Sequence, residues 1–408
     1  MKRNIDGHLA SPLTSNPLRG LRSPELVDER TLVLRTDFPW STLPIYFAGQ
    51  PGWMAAPSQL DAPDGAPQEP VGTGPFVLER RVLDQETTVV RNEDYWREGL
   101  PNLDRVTFRV VPDNQVRNQA LRSGEIDTSS TFRDEDIVQF REDEGVTMLE
   151  DTVDGEEVFV LLNTKEPPLD DLRVRRAIAH ATDTEEYVEL LGSGILEPAE
   201  SPWDPGSPWH TEVDYPQHDP ARARELVEEY EADTGEEVRF EMSVPPVPEY
   251  QEAMELLQDQ WKDAGIEVDL RTVEFTQHIL EAATGSFQAK LWRQFGSDDP
   301  DGEAVWWLST NAQPPLATNF ARNEDPRIDE ALMAARATAD VEVRRARYAD
   351  VARYLTEDLP YIWIYHVTWA TILDSDVKGV GDLTAPDGAP RQPMSGGVMP
   401  VAALWLDR

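Results

Sequence analysis

The sequence predicts an α/β protein with at least two lobes. Strand and helix signals alternate through most of the 408 residues, a length that suggests two or three domains. Residues 238–270 read as strand, helix and strand with short joints, which is the pattern of a parallel βαβ unit. Segments rich in Pro and Gly interrupt the alternation, and we place the joints of the chain there: 50–75, 201–220 and 375–400.

The first clear elements lie between residues 105 and 131. Residues 105–112 predict a strand because apolar side chains alternate along them. A helix over 115–123 follows, and Gly124 is a suitable residue to end it. The chain then returns to a short strand from Ile126 onward.

The βαβ unit has the clearest pattern in the chain. Alternating apolar residues over 238–244 and 266–270 predict two strands. The helix between them is predicted to end at Gly265. Its apolar face recurs at helical spacing: Met254, Leu257, Trp261 and Ala264. The strands should therefore pair in parallel through a right-handed crossover.

Later elements have equally plain boundaries. Asp219 before Pro220, and Asp171 before an apolar-faced helix, are good helix starts. A helix over 342–355 leads into 359–364, an apolar run that predicts a strand buried on both faces. Three arginines of the helix that begins after Asp171 are expected to lie outside its apolar face, where they would form ion pairs rather than contact a ligand: Arg173, Arg175 and Arg176.

The composition excludes several classes of protein. Asp and Glu number 77 against 37 Lys and Arg, which leaves a net charge of −40. Nucleic acid and anionic membranes would both repel such a chain. The 12 Trp, 12 Phe and 10 Tyr argue against disorder. Because the carboxylates are spread along the chain, we favour a high-salt habitat over an acidic partner-binding tail.

Signatures of catalysis are scarce. The sequence has no Cys, no close pair of His ligands and no glycine pair followed by a Walker lysine. Neither a secretory signal nor an apolar run of membrane-spanning length is visible. Carboxylate pairs such as Asp298 and Asp299 arise by chance in so acidic a chain and do not indicate catalysis. Since no catalytic signature is left, we interpret the chain as a binding protein without a cofactor.

A set of short motifs gives a more specific indication. They occur in this order: PVGTGPF at 70–76, RNEDYW at 91–96, ALRSGEID at 120–127, LNT to RVRRAI within 162–178, DPARA at 219–223, WKDAGI at 261–266 and LPY at 359–361. As an ordered set they resemble the extracellular solute-binding proteins of family 5, the peptide/nickel type of ABC importers. The acidic composition further resembles that of haloarchaeal proteins.

The resemblance implies a type II periplasmic-binding-protein fold, with two α/β lobes and an extra domain. Residues 8–13 resemble a segment well inside family members, so the N-terminal part, with signal and lipid-anchor cysteine, is expected to be missing. The expected domains are a remnant of the extra domain over 1–72, an incomplete first lobe over 73–155 plus 376–408, and a second lobe over 156–375.

The implied function is that of a substrate-binding subunit at the extracellular face of the membrane. It would capture a peptide or peptide-like solute between its lobes and deliver it to the permease subunits. We expect a monomer that is not an enzyme and does not bind nucleic acid. The alternatives are a truncated or decayed fragment without a transport role and an acidic α/β hydrolase.

The resemblance also locates a ligand site. Peptide binders of the family place an Asp four residues before the proline that corresponds to Pro300, where it holds the ligand's α-ammonium. This chain has Gly296 there, or Phe295 if the segment is anchored from Trp292, and Asp298 and Asp299 are nearby substitutes. The ligand-binding candidates are Trp292, Arg293, Gln294, Phe295, Gly296, Asp298, Asp299 and Trp306, with no catalytic residue and no metal ligand.

Two of these assignments have open alternatives. Trp292 and Trp306 would serve equally well as core residues. Arg293 would pair with a neighbouring carboxylate if it does not contact the ligand.

Overall fold

The computed structural model describes residues 1–11, 14–62, 70–152, 156–297, 299–313, 316–385 and 388–408. Within these ranges the helices are α1 (Lys2–Ala10), α2 (Leu43–Tyr46), α3 (Pro57–Asp61), α4 (Asn114–Arg122), α5 (Asp134–Arg141), α6 (Leu172–Ala181), α7 (Thr184–Leu191), α8 (Pro220–Thr234), α9 (Pro248–Lys262), α10 (Phe275–Thr284), α11 (Ala304–Trp307), α12 (Pro326–Arg336) and α13 (Val341–Asp358). No helix in these ranges is both long and apolar enough to cross a membrane.

The strands of the same ranges are β1 (Glu25–Leu26), β2 (Leu32–Val33), β3 (Phe76–Val82), β4 (Glu86–Arg91), β5 (Arg105–Arg109), β6 (Thr128–Thr131), β7 (Val146–Asp151), β8 (Glu157–Leu162), β9 (Glu197–Pro198), β10 (Arg239–Val244), β11 (Glu267–Thr272), β12 (Ala289–Gln294), β13 (Tyr361–His366), β14 (Trp369–Asp374), β15 (Val377–Lys378) and β16 (Trp405–Leu406).

The chain divides into two compact units. Unit 1 comprises Met1–Gly52 and Thr152–Val367, and unit 2 comprises Trp53–Asp151 and Thr368–Arg408. Residues 1–52 therefore group with the unit that contains most of the predicted second lobe. The finer division of the chain into a remnant domain and two lobes stays a prediction.

A six-stranded mixed sheet organises unit 1, in the order β11-β10-β12-β8-β13-β9. β10 pairs in parallel with β11 and with β12, so the predicted βαβ unit of β10, α9 and β11 is confirmed. Gly265 has a φ of +86°, a left-handed conformation that turns the chain from α9 into β11. The remaining pairs of the sheet are antiparallel.

The predicted strand with two buried faces is β13. It lies between β8 and β9, and four successive residues from Tyr361 to Ile364 are buried. Every residue of its neighbour β8 is buried as well. A nearly continuous apolar run is therefore the right pattern for this part of the sheet, and the prediction is confirmed.

The predicted helix starts are also confirmed. The Asp219 carboxylate accepts the N–H groups of Ala221 and Arg222, and Asp171 caps α6 in the same way. The expectation for Arg175, however, is wrong. Arg175 is buried, and its guanidinium donates to three backbone carbonyls instead of pairing with a carboxylate. The carbonyl of Asp358 lies at the end of α13, and those of Leu169 and Asp170 lie in the loop before α6.

The described part of unit 2 contains two three-stranded antiparallel sheets, ordered β3-β4-β5 and β6-β14-β7, and the small pair β15-β16. The strand predicted over 105–112 is β5, which ends at Arg109. The helix predicted over 115–123 is α4, and Gly124 after it has a φ of +71°. The short strand expected from Ile126 begins at Thr128.

Candidate functional site

The predicted ligand-binding residues that the structure describes all lie in unit 1. Trp292, Arg293 and Gln294 are the last three residues of β12, and Trp306 lies in α11. Asp298 is outside the described residues. We call residues 295–303, which connect β12 to α11, the connecting segment.

Four rings form a continuous row at the end of β12, which we call the aromatic row: His278, Trp292, Phe320 and Trp306. The His278 ring stacks on Trp292, with centroids 5.1 Å apart and planes 17° apart. Phe320 contacts Trp292 edge-on at 5.1 Å and Trp306 at 5.7 Å. His278 is buried, whereas the other three rings are half-buried. The row therefore runs from the interior of unit 1 to its surface.

The residues next to Trp292 differ sharply in exposure. Gln294 is buried, and it lies opposite Glu157 of β8. Phe295, the first residue after β12, is 68% exposed. Most of the Phe295 ring is therefore accessible at the surface of unit 1.

Arg293 points to the other face of β12, because successive side chains of a strand alternate. Its Nε lies 2.8 Å from Oε1 of Glu156, whose side chain is almost completely buried. The expectation that Arg293 pairs with a neighbouring carboxylate is therefore confirmed. A charge that is already paired with a buried carboxylate attracts a ligand anion only weakly.

Asp299 also has a partner within unit 1. It is buried, and its carboxylate accepts the N–H of Asp301 at 3.0 Å and forms an ion pair with Arg344 of α13. The Arg344 guanidinium lies over the Trp209 ring and donates to the Tyr348 hydroxyl at 3.1 Å. A ligand ammonium at Asp299 would have to displace this arrangement.

Asp301 fastens the connecting segment at a second point. Nε of Arg336 in α12 lies 2.8 Å from Asp301 Oδ1, and the Trp40 indole N–H donates to Oδ2 at 3.0 Å. The Tyr46 hydroxyl accepts from Arg336 at 2.8 Å and donates to the Asp301 carbonyl. Arg336 of α12 and Arg344 of α13 thus pair with two acidic residues of the segment, Asp301 and Asp299.

A buried polar network contacts His278, the buried member of the aromatic row. Lys290, two residues before Trp292 and on the same face of β12, is fully buried. Its ammonium lies 2.9 Å from Glu281 Oε2, and Arg271 donates two further hydrogen bonds to the same carboxylate at 3.1 and 3.0 Å. Burial alone would raise the pKa of Glu281, but these donors outweigh it and hold the pKa at about 2.

One further carboxyl near β12 lies in a different environment. Glu157 is 1% exposed, and neither of its carboxyl oxygens has a hydrogen-bond partner among the described residues. Burial, and then the neighbouring Glu303 and Glu156, raise the pKa of Glu157 well above its usual value. This carboxyl is therefore protonated over a wider pH range than an ordinary glutamate.

Several of these residues were not predicted from the sequence. Phe320 joins the two predicted tryptophans, and His278, Glu281 and Lys290 support one of them from behind. The one available signal was Lys290 itself, a lysine between apolar residues of a strand. Among the residues that the structure describes, no group of three or more His, Cys, Asp or Glu side chains could hold a metal ion. The arrangement offers an apolar surface with paired charges around it.

Comparison with solved structures identifies the fold. The periplasmic binding protein DppA from Helicobacter pylori, solved in complex with the peptide STSA, superposes with a TM-score of 0.84. It is 20% identical in sequence, and the match covers 100% of this chain and 80% of that one. The predicted type II periplasmic-binding-protein fold is thereby confirmed.

Curated relatives agree with this assignment. Di/tripeptide-binding protein 2 of Pseudomonas aeruginosa is 30% identical over 303 residues, which are 73% of this chain and 56% of that protein. Heme-binding protein A of Haemophilus influenzae is 28% identical over 374 residues, 88% of this chain and 67% of that protein. The chain thus spans little more than half the length of the first of these relatives.

The sequence also matches a family model along most of its length. The match covers residues 2–315 and includes β12, the connecting segment and α11. The proteins described by this model are solute-binding proteins rather than enzymes. The chain belongs to the bacterial extracellular solute-binding proteins, family 5.

Proposed function

We propose that this chain is the substrate-binding subunit of an ABC importer, which captures a peptide or peptide-like solute and delivers it to a membrane permease. The family supports the binding role, and the names of the relatives support the ligand class, since several are di/tripeptide-binding proteins. Action at the extracellular face of the membrane, a monomeric state and a high-salt habitat are parts of the same proposal.

The observation that carries the proposal is the aromatic row. Its three half-buried rings present apolar surface, and two of them, Trp292 and Trp306, are among the residues that the family resemblance assigns to the ligand. Binding sites for small molecules are lined mainly by apolar and aromatic side chains, with few polar groups to orient the ligand. The paired charges of Arg293 and Asp299 leave the side chains of the row as the main contact for a ligand.

The α-ammonium of a free peptide still requires a carboxylate, because an unpaired buried charge is very costly. Asp299 would have to leave Arg344 to meet it. We therefore propose that Asp299 fixes the connecting segment, and that the ammonium is met by Asp298 or by a carboxylate elsewhere in the chain.

Isothermal titration in molar KCl with the dipeptide Ala-Phe and the tripeptide Ala-Ala-Phe tests the proposal. We expect saturable binding, and Trp292→Ala should weaken it by about tenfold or more, the loss for an aromatic contact worth about 1.4 kcal/mol. Trp53→Ala is the matched control, because Trp53 is exposed and lies outside the aromatic row. Its affinity should equal that of the wild type.

Three results would contradict the proposal. A folded protein that binds neither peptide would favour the reading of the chain as a fragment without a transport role. Hydrolysis of either peptide would favour the hydrolase. Equal affinities of Trp292→Ala and the wild type would remove the aromatic row from the site.

A further inference from the structure

Lys290 has an unusual position for a lysine. It lies in the centre of the six-stranded sheet of unit 1, directly opposite Ser243 of β10, and its side chain has no exposed surface. Its Nζ lies 2.9 Å from Glu281 Oε2, 2.9 Å from Ser243 Oγ and 3.4 Å from His278 Nδ1. An ammonium group has three N–H donors, so each donor has one acceptor.

This arrangement determines the state of His278. Since an ammonium only donates, Nδ1 of His278 must accept, and the proton of the neutral ring lies on Nε2. Burial and the Lys290 charge lower the pKa of His278 to about 3, so the ring is neutral at physiological pH. The imidazole also makes a hydrogen bond to the backbone of Leu291. Contacts with β12 thus fix the rotation of the ring.

The imidazole of His278 packs against one face of the Trp292 indole. The two rings are nearly parallel, 17° apart, and Phe320 closes another side of the indole edge-on. An apolar residue at position 290 would fill the same volume without the cost of burying an ammonium. It would leave the His278 ring with only its hydrogen bond to the backbone of Leu291, and Nδ1 would lose its donor. The plane of the ring that stacks on the Trp292 indole would then be less well fixed.

We propose that Lys290 is a positioning residue, which acts through His278 to fix the plane of the Trp292 indole and so favours ligands with an aromatic or large apolar side chain. The part that concerns ligand preference rests on the proposed function. The part that concerns the orientation of Trp292 does not.

The orientation is measured without a ligand. Protein labelled with 5-fluorotryptophan has 12 indole ¹⁹F resonances, one for each Trp, and Trp292→Phe identifies that of Trp292 by its loss. In Lys290→Met we expect this resonance to shift or broaden. Lys165→Met is the matched control, because Lys165 pairs with Glu324 at the same distance of 2.9 Å but is largely exposed. It should leave the resonance unchanged.

Ligand preference is measured by titration with Ala-Phe and Ala-Ala. In Lys290→Met the ratio of the two affinities should fall by about fivefold, since ring packing contributes about 1 kcal/mol beyond buried area. Two substitutions at position 278 separate positioning from a merely structural role. His278→Leu removes the flat ring, and His278→Phe keeps a flat ring that cannot accept a hydrogen bond from Lys290, so both should reduce the ratio. A full recovery in His278→Phe would mean that the bond to Lys290 is not needed.

Each result decides the matter. An unchanged Trp292 resonance in Lys290→Met would overturn the proposal, whatever the peptides do. A changed resonance with an unchanged affinity ratio would overturn the part on ligand preference alone. If Trp292→Ala binds both peptides normally, the proposed site fails, while the resonance still tests the positioning. Should Lys290→Met not fold, His278→Leu decides, because it keeps the bonds from Lys290 to Glu281 and Ser243.

Discussion

Asp301 and Arg336 form an ion pair that is almost entirely withdrawn from solvent. Their side chains are 0% and 4% exposed, and Nε lies 2.8 Å from Oδ1. The guanidinium also lies over the Trp40 ring, with 4.5 Å between Cζ and the ring centroid. The pair connects α12 to the connecting segment, and through Trp40 and Tyr46 it also contacts residues 40–46.

Removal of one partner of this pair should therefore be costly. Arg336→Met leaves the Asp301 carboxylate buried without its cation, and we expect a loss of about 3–5 kcal/mol in the free energy of unfolding of unit 1. Denaturant titration followed by tryptophan fluorescence measures it. Arg353→Met, which removes a half-exposed partner of Asp350, should cost less than about 1 kcal/mol. Equal losses in the two variants would mean that burial of the pair is not what matters.

A second prediction separates anchoring from ligand binding at Asp299. Because its carboxylate pairs with Arg344, Asp299→Asn should lower stability by about 3 kcal/mol or more. Peptide affinity should change little once the protein is folded. If Asp299 instead holds the ligand's ammonium, the variant should bind free peptides about 1.5–3 kcal/mol more weakly and N-acetylated peptides unchanged. Titration of both peptide forms distinguishes these results.

The elements that the sequence predicted well are those whose pattern is local. Asp219 before Pro220 and Gly265 after α9 act within one turn of the chain, so their roles are visible without the fold. The alternating apolar residues of β10 and β11 are equally local. The end of β5 was placed three residues too late, because the apolar alternation continues beyond the last residue that pairs with β4.

The site was predicted only in part, because its contacts join residues that are far apart in the sequence. Trp292 and Trp306 were identified from a family segment, but their relation depends on Phe320, which reaches them only in the folded unit. Lys290 finds its acceptors 9 and 47 residues away in the sequence. Asp299 meets its arginine 45 residues away. No local pattern encodes such pairings.

Glu157 gives a prediction on pH. Because burial raises its pKa in the folded state above the ordinary 4.5, the folded protein holds this proton more tightly than the unfolded chain. The stability that this carboxyl contributes is thus complete below pH 4.5 and is lost as the pH rises through the folded-state pKa. Glu157→Gln should therefore be more stable than the wild type at pH 8 and nearly equal to it at pH 4.

Thermal unfolding of the two proteins across this pH range measures the difference. Glu228→Gln, at an exposed position of α8, should show no such crossover. If Glu157→Gln is instead less stable at pH 8, the ionised carboxylate has a favourable partner in the folded protein.

The two sheets predict different protection from hydrogen exchange. Among the described strands β5 is an edge strand that pairs with β4 alone, and Phe108 on it is 51% exposed. β10 lies between β11 and β12 and is largely buried. Amides of 106–111 should exchange at least about tenfold faster than those of 238–244, because edge amides face solvent. Equal protection by mass spectrometry would mean that β5 is covered in solution.

The net charge of −40 predicts a stability that depends on salt. The screening length falls from about 10 Å at 0.1 M salt to about 3 Å at 1 M, so the mutual repulsion of the carboxylates weakens steeply over this range. We expect the melting temperature to rise by about 10 °C or more between 0.1 M and molar KCl. NaCl should act equally, because screening depends on ionic strength. Sucrose at the same osmolarity controls for preferential exclusion, which stabilises without screening. A flat profile in both salts would contradict adaptation to high salt.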